Sequence, residues 1–123
     1  MRLDCLYKCV PSKRMPMKHF TCLAALLFGV ALPSQARPVT ATVYDGWYHG
    51  RVAYCGGTYH HWGISAAHPW LPCGTKVRVI HRGRSLVVPI TDRCDCNSLD
   101  LSAGAAYRLG VPLDGIATVR ITY

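Results

Sequence analysis

Lys76-Val77-Arg78-Val79-Ile80 and Leu86-Val87-Val88-Pro89-Ile90-Thr91, joined through His81-Arg82-Gly83-Arg84, form the stretch on which the fold turns. The first run alternates apolar with basic residues, and β-branched residues dominate both. That period of two belongs to strands rather than helices. The link is hairpin-sized and carries Gly83 at its tip, where a left-handed backbone suits a glycine. Pro89 has no N–H for a neighbouring strand, so an edge or a bulge is expected there.

Moving outward, Val39 to Val43 (VTATV) and Ile116 to Thr122 (IATVRIT) repeat the strand pattern. One short helix is predicted, with Ser102 as N-cap, AGAAYRL as its body and Gly110 as its stop, Pro112 lying beyond. Tyr44 to Gly63 holds five glycines and many aromatic and His side chains without any period. It reads as a long structured loop, the usual place for a binding surface. There is no internal repeat and no low-complexity segment.

The chain has 123 residues, enough for one domain of ordinary size. Half of the residues are apolar and 16% are charged, which excludes a wholly disordered chain. All six acids are Asp (4, 45, 92, 95, 100 and 114) and there is no Glu, so carboxylate chemistry must draw on very few groups. The amino end is different in character. Five basic residues lie in Met1 to Lys18, then Phe20 to Leu32 (FTCLAALLFGVAL) is uncharged, and Pro33-Ser34-Gln35-Ala36 follows. That is the layout of a secretory signal cut after Ala36. The apolar run stops well short of the roughly 20 residues a membrane-spanning helix needs. Met15 or Met17 is an alternative start that leaves a signal of ordinary length.

Residues 37–123 then keep nine Arg/Lys and five Asp, a net charge of +4. The expected domain is this segment, exported to the periplasm or cell envelope, with no stable membrane anchor once residues 1–36 are removed, and monomeric. Export, together with the absence of a basic helix stripe or a nucleic-acid motif, argues against nucleic acid as a partner. A mildly cationic surface suits an anionic wall polymer. Cys55, Cys73, Cys94 and Cys96 survive cleavage, and in a small exported domain they are expected to pair. A zinc site drawn from His60-His61, His68 and Cys94-Asp95-Cys96 fits no standard structural spacing, so neither a metal nor a cofactor is expected.

Four blocks carry a resemblance: Ser65-Ala66-Ala67-His68; Leu71-Pro72-Cys73-Gly74-Thr75-Lys76-Val77-Arg78-Val79; Val88-Pro89-Ile90-Thr91-Asp92-Arg93; and Leu99-Asp100-Leu101-Ser102. In order and spacing they resemble the rare lipoprotein A family, and more distantly barwin-like domains and expansins. The resemblance implies an all-β chain, a six-stranded double-psi β-barrel with one short helix, preceded by the signal peptide. It also implies an activity, lytic transglycosylation of peptidoglycan glycan strands. A carboxylic acid protonates the glycosidic oxygen and the sugar's own 6-hydroxyl closes on the anomeric carbon, so no water is added. One acid that returns as base can suffice.

Carried over residue by residue, Asp92 matches the family's catalytic Asp and His68 its active-site His, which could hydrogen-bond Asp92 or position the sugar. The donor must keep its proton, which asks for a partly desolvated groove. Arg93 and Asp100 are expected to bind the glycan beside them, and Trp47, Tyr48, Tyr59 and Trp62 are the candidates for stacking on sugar rings. Each also has a plainer reading: Asp92-Arg93 as a surface pair, Asp100 as a helix-start residue, His68 as a core histidine. Active members carry a Glu eleven residues before the His, where this chain has Gly57. Either Asp92 works with His68 alone, or the domain binds glycan without cutting it, as expansins do; an inhibitor of barwin type is a third reading. Related domains with "CG…LPCG" suggest Cys55 with Cys73. Cys94 and Cys96 then close a tight loop or stay reduced, unless the pairing crosses between the two sets.

Overall fold

The structure is a computed structural model and describes Gly29, residues 35–96 and residues 98–123. The expected signal, apart from Gly29, Gln35 and Ala36, lies outside the described residues. Six strands close into a barrel: β1 (Arg37–Val43), β2 (Ala66–Ala67), β3 (Lys76–His81), β4 (Arg84–Asp92), β5 (Leu99–Leu101) and β6 (Ala117–Thr122). A single 3-10 turn (Gly46–Tyr48) follows β1, and helix α1 (Ala103–Leu109) follows β5. Round the barrel the order is β1-β5-β2-β4-β3-β6. The pairs β1/β5 and β2/β4 are parallel, and the other four are antiparallel. This is the all-β barrel with one short helix that the resemblance implies.

The alternation read in the sequence is the alternation of burial. Val77 and Val79 of β3, Val88 and Ile90 of β4, and Val119 and Ile121 of β6 point inward, while Lys76, Arg78 and Arg120 point out. Leu99 and Leu101 of β5 and Ala105, Ala106 and Leu109 of α1 complete the core. Burying this apolar set is the main source of stability in a domain of this size.

The β3–β4 hairpin is tighter than the four-residue link expected. His81 pairs with Arg84, and the two loop residues, Arg82 (φ 45) and Gly83 (φ 79), are both left-handed, the pattern of a type I′ turn. Pro89 is accommodated without an open edge. Ile90 N–H donates to Thr75 on the β3 side, so the missing N–H of Pro89 would face the β2 side. There the two-residue strand β2 begins only opposite Ile90. The register slips at the next step, Ala66 pairing with Ile90 but Ala67 with Asp92, which places the expected bulge at Thr91.

Helix α1 keeps the caps read from sequence. Ser102 Oγ accepts from Ala105 N–H at 3.2 Å and donates to Gly63 O at 2.7 Å. Gly110 ends the helix at φ 68. Gly104 lies directly under the loop, where a Cβ would run into the backbone oxygens of Trp62 and Gly63. The 44–63 segment therefore packs on the first turn of α1 through a contact that only glycine allows. Strands β2 and β5 are too short for any period to reveal, and they fall inside two of the matched blocks.

Candidate functional site

Asp92 ends β4, Asp100 is the middle residue of β5, and β2 runs between them. Ala67 is the register partner of both, parallel to Asp92 and antiparallel to Asp100. Two strand-to-strand steps set the two Cα atoms about 10 Å apart. Both carboxylates line one open groove of about 500 Å³, together with Thr42, Tyr44, Tyr48 and Arg93. Asp45 and Asp95 also line it, so four of the five Asp residues within 37–123 gather at one surface.

The two central carboxylates are held differently. Asp92 receives three hydrogen bonds: Tyr44 Oη donates to Oδ2 at 2.7 Å, and the N–H groups of Tyr54 and Arg93 donate to Oδ1, each at 2.8 Å. Backbone N–H groups can only donate, so Oδ1 of Asp92 is held as an acceptor. Asp100 receives one side-chain bond, from Thr42 Oγ1 to Oδ1 at 2.9 Å. Burial raises its pKa above the ordinary carboxylate value and the charge of Asp92 adds to the rise, while the Thr42 bond opposes it. Asp100 is thus a carboxyl whose surroundings favour keeping a proton. Tyr44 is pushed far up, first by burial and then by its bond to Asp92, so its hydroxyl remains a donor at any working pH.

The aromatic loop makes this arrangement. Cys55 N–H donates to Thr91 O at 3.2 Å, and the Cys55–Cys73 disulfide fastens the loop to the turn before β3. Tyr54 N–H is thereby aimed at Asp92. The second pair is Cys94–Cys96, so all four sulfurs are committed to disulfides, and Cys94 borders the groove. Among the described residues no three His, Cys, Asp or Glu side chains gather as metal ligands do.

His68 takes the plainer of the positions considered, that of a buried histidine. Its side chain is 3% exposed, and Nδ1 accepts from the N–H groups of Trp70 (3.3 Å) and Leu71 (3.1 Å). Burial, and then the charge of Arg93, lower its pKa, which keeps the ring neutral. No side-chain bond joins it to Asp92; the link is main-chain, His68 N–H donating to Asp92 O at 3.2 Å. Arg93 completes the brace, with Nη1 donating to His68 O (3.0 Å) and Leu71 O (2.6 Å). Both residues therefore set the position of the β4 end from behind.

The aromatic candidates separate in the same way. Tyr48 is exposed and lines the groove. Trp47 and Trp62 are exposed but do not line it, and the Arg51 guanidinium covers the Trp47 ring. Tyr59, expected at the sugar surface, is 6% exposed and supports Tyr44 from below, the ring centroids lying 4.7 Å apart. A ring packed beneath Tyr44 has no free face for a ligand. Gly57 lines a separate depression of about 230 Å³. Its φ of 73 is one a Glu would adopt only under strain. Of the two residues that touch the carboxylates, Tyr44 is marked in the sequence only as one of the loop's many aromatics. Thr42 shares a register position with Asp100, yet nothing local marks it.

Comparison with known proteins agrees with this architecture. A family model described as lytic transglycolase matches residues 40–121. An uncharacterised protein of Synechocystis sp. is 45% identical over 85 residues, covering 68% of this chain and 93% of that protein. The endolytic peptidoglycan transglycosylase RlpA of Pseudomonas aeruginosa is 38% identical over 87 residues, covering 67% of this chain and 26% of its own length. Its counterpart in Vibrio cholerae is 38% identical over 86 residues, 66% of this chain and 33% of that protein. The chain thus spans about a quarter to a third of these transglycosylases. Among solved structures, the Streptomyces papain inhibitor superposes with a TM-score of 0.58 at 28% identity, over 72% of this chain and 96% of that one.

Proposed function

The chain belongs to the lytic transglycolase family of double-psi β-barrels, and from that we propose that it cleaves peptidoglycan glycan strands by transglycosylation in the cell envelope. In this reading residues 1–36 are a signal removed on export and residues 37–123 act as a monomer. One observation carries the proposal: Asp92 and Asp100 flank Ala67 in a single open groove, one carboxylate held by three donors and the other by one, with burial raising its pKa.

The division of labour follows from that contrast. Asp100, protonated, gives its proton to the glycosidic oxygen as the bond from that oxygen to the anomeric carbon breaks. The 6-hydroxyl of the same sugar closes on the anomeric carbon and releases its proton to the Asp100 carboxylate, so the acid is restored and no water is consumed. Asp92, held by Tyr44 and two backbone N–H groups, offsets the positive charge that builds at the anomeric carbon. Both transfers are to or from one group, which removes the need for the Glu that Gly57 replaces. Tyr48 offers a flat face to the sugar.

Purified protein incubated with glycan strands freed of stem peptides should release ends lighter by one water than a reducing sugar, detected by mass spectrometry. Asp100→Asn and Asp92→Asn should each abolish them. Ends carrying an added water would make the enzyme a hydrolase. Binding without any product, in wild type and variants alike, would make it a non-catalytic wall-binding module of the expansin kind.

A further inference from the structure

We propose that a trough around Tyr123, on the side of the barrel away from the groove, is a second polysaccharide subsite that takes the carboxylate-bearing parts of a peptidoglycan strand. This rests on the reading above for the identity of the polymer, though not for its cleavage. In the closed order β1-β5-β2-β4-β3-β6, β5 and β3 stand half-way round from each other. The groove takes its strand residues from β5, β1 and the end of β4, and the trough from β3 and its neighbours β4 and β6. The trough is a depression of about 270 Å³ between Lys76, Arg78, Val87, Thr122 and Tyr123. It shares Thr122 and Tyr123 with a neighbouring depression of about 430 Å³ that reaches Arg37.

The chemistry of the two sides is opposed. Strands β1, β3 and β6 contribute Arg37, Lys76, Arg78 and Arg120 and contain no acid, and all four cations are exposed. Lys76 and Arg78 are two residues apart on one strand and so project from the same face, about 7 Å apart. Arg78 faces Thr122 across the ladder, and its Nη1 donates to Ser85 Oγ at 3.1 Å, which holds the guanidinium over the sheet. Tyr123 is 49% exposed and Trp70 is 64% exposed, with ring centroids 6.1 Å apart in an edge-to-face pair. Cations placed side by side repel one another, and a polymer carrying carboxylates relieves that repulsion. A guanidinium can hold a carboxylate through two hydrogen bonds, and exposed rings offer faces to the sugars between. The groove, lined by four Asp residues, rejects the same carboxylates. One strand can then place a peptide-free stretch, which keeps only the lactyl carboxylates, at Asp92 and Asp100 and a more acidic, peptide-bearing stretch on the trough.

The test is a binding measurement on the full protein, with labelled soluble strands carrying their stem peptides and with strands stripped of them. Wild type should bind the peptide-bearing strands more tightly, and added salt should reduce the difference. Lys76→Gln/Arg78→Gln, and separately Tyr123→Ala, should weaken that binding about tenfold, the loss of one or two charge-assisted or stacking contacts. Both variants should lose less on stripped strands, which keep only the lactyl carboxylate of each muramic acid, and circular dichroism should show both folded as wild type. Equal affinity of wild type for the two kinds of strand, or unchanged binding by both variants, overturns the proposal. So does binding of wild type, lost in the variants, to vesicles containing anionic phospholipid with none to strands, which assigns the face to a lipid surface. Cleavage of stripped strands is read separately, so failure of the enzymatic reading leaves this outcome legible.

Discussion

Tyr44→Phe isolates one bond at the centre of the site. The ring stays packed against Tyr59 and Tyr48, at 4.7 and 5.4 Å between centroids, and only the 2.7 Å hydrogen bond to Asp92 Oδ2 is lost. A hydrogen bond to a charged group is worth about 1.5–3 kcal/mol where water is excluded. In the free protein the groove is open and water refills the place, so stability should fall by no more than about 1 kcal/mol, or about 4–8 °C in Tm. With a glycan strand seated, water is shut out and the full bond counts toward the transition state. The expected loss is therefore about 10- to 150-fold in kcat, with KM nearly unchanged, because the hydroxyl acts on Asp92 rather than on the sugar. Single-turnover release of anhydro ends, beside a thermal melt, measures both quantities. A kcat within twofold of wild type would show that Asp92 needs no orientation. A fall in Tm several times larger than expected would make the hydroxyl a structural group.

Thr42→Val removes the hydrogen bond that holds the Asp100 pKa down, so the alkaline limb of the pH–rate profile should move to higher pH. A shift toward acid, or none, would take the proton-donor role from Asp100. Asp100→Asn should abolish cleavage yet stabilise the fold at neutral pH. A folded-state pKa raised by burial and by Asp92 means that ionising Asp100 costs stability as pH climbs from the unfolded value, about 4, through the raised one. Melts across pH should show the variant's advantage at neutral pH shrinking toward zero below that window. Gly104→Ala forces a Cβ against the Trp62 and Gly63 carbonyls, and chemical denaturation should show about 1–3 kcal/mol lost. A neutral outcome there would mean that the loop does not bear on α1 as closely as described.

The strands and the helix were largely legible in the chain because their signals are local. Apolar side chains recur every second residue in β3, β4 and β6, and Ser102 and Gly110 cap the helix by bonds made within a turn. The Cys55–Cys73 pair was accessible only through likeness to a family, Cys94 with Cys96 was one option among three, and the short strands β2 and β5 escaped because two or three residues carry no period. The acidic pair was half legible, because Asp92 and Asp100 sit in matched blocks although their roles do not.

What depends on neighbours distant in the chain could not be read in advance. Tyr44 reaches Asp92 across 48 positions and Thr42 reaches Asp100 across 58. It is the parallel pairing of β1 with β5 and of β2 with β4 that brings them together. His68 shows the converse: its motif is plain in the sequence, but the Trp70 and Leu71 N–H groups that turn its ring inward belong to a turn whose course the barrel sets. Amino-acid order thus dictates which segments extend, coil or cap. Which carboxyl keeps a proton depends on the water, charges and donors around it, and those are assembled only when the barrel closes.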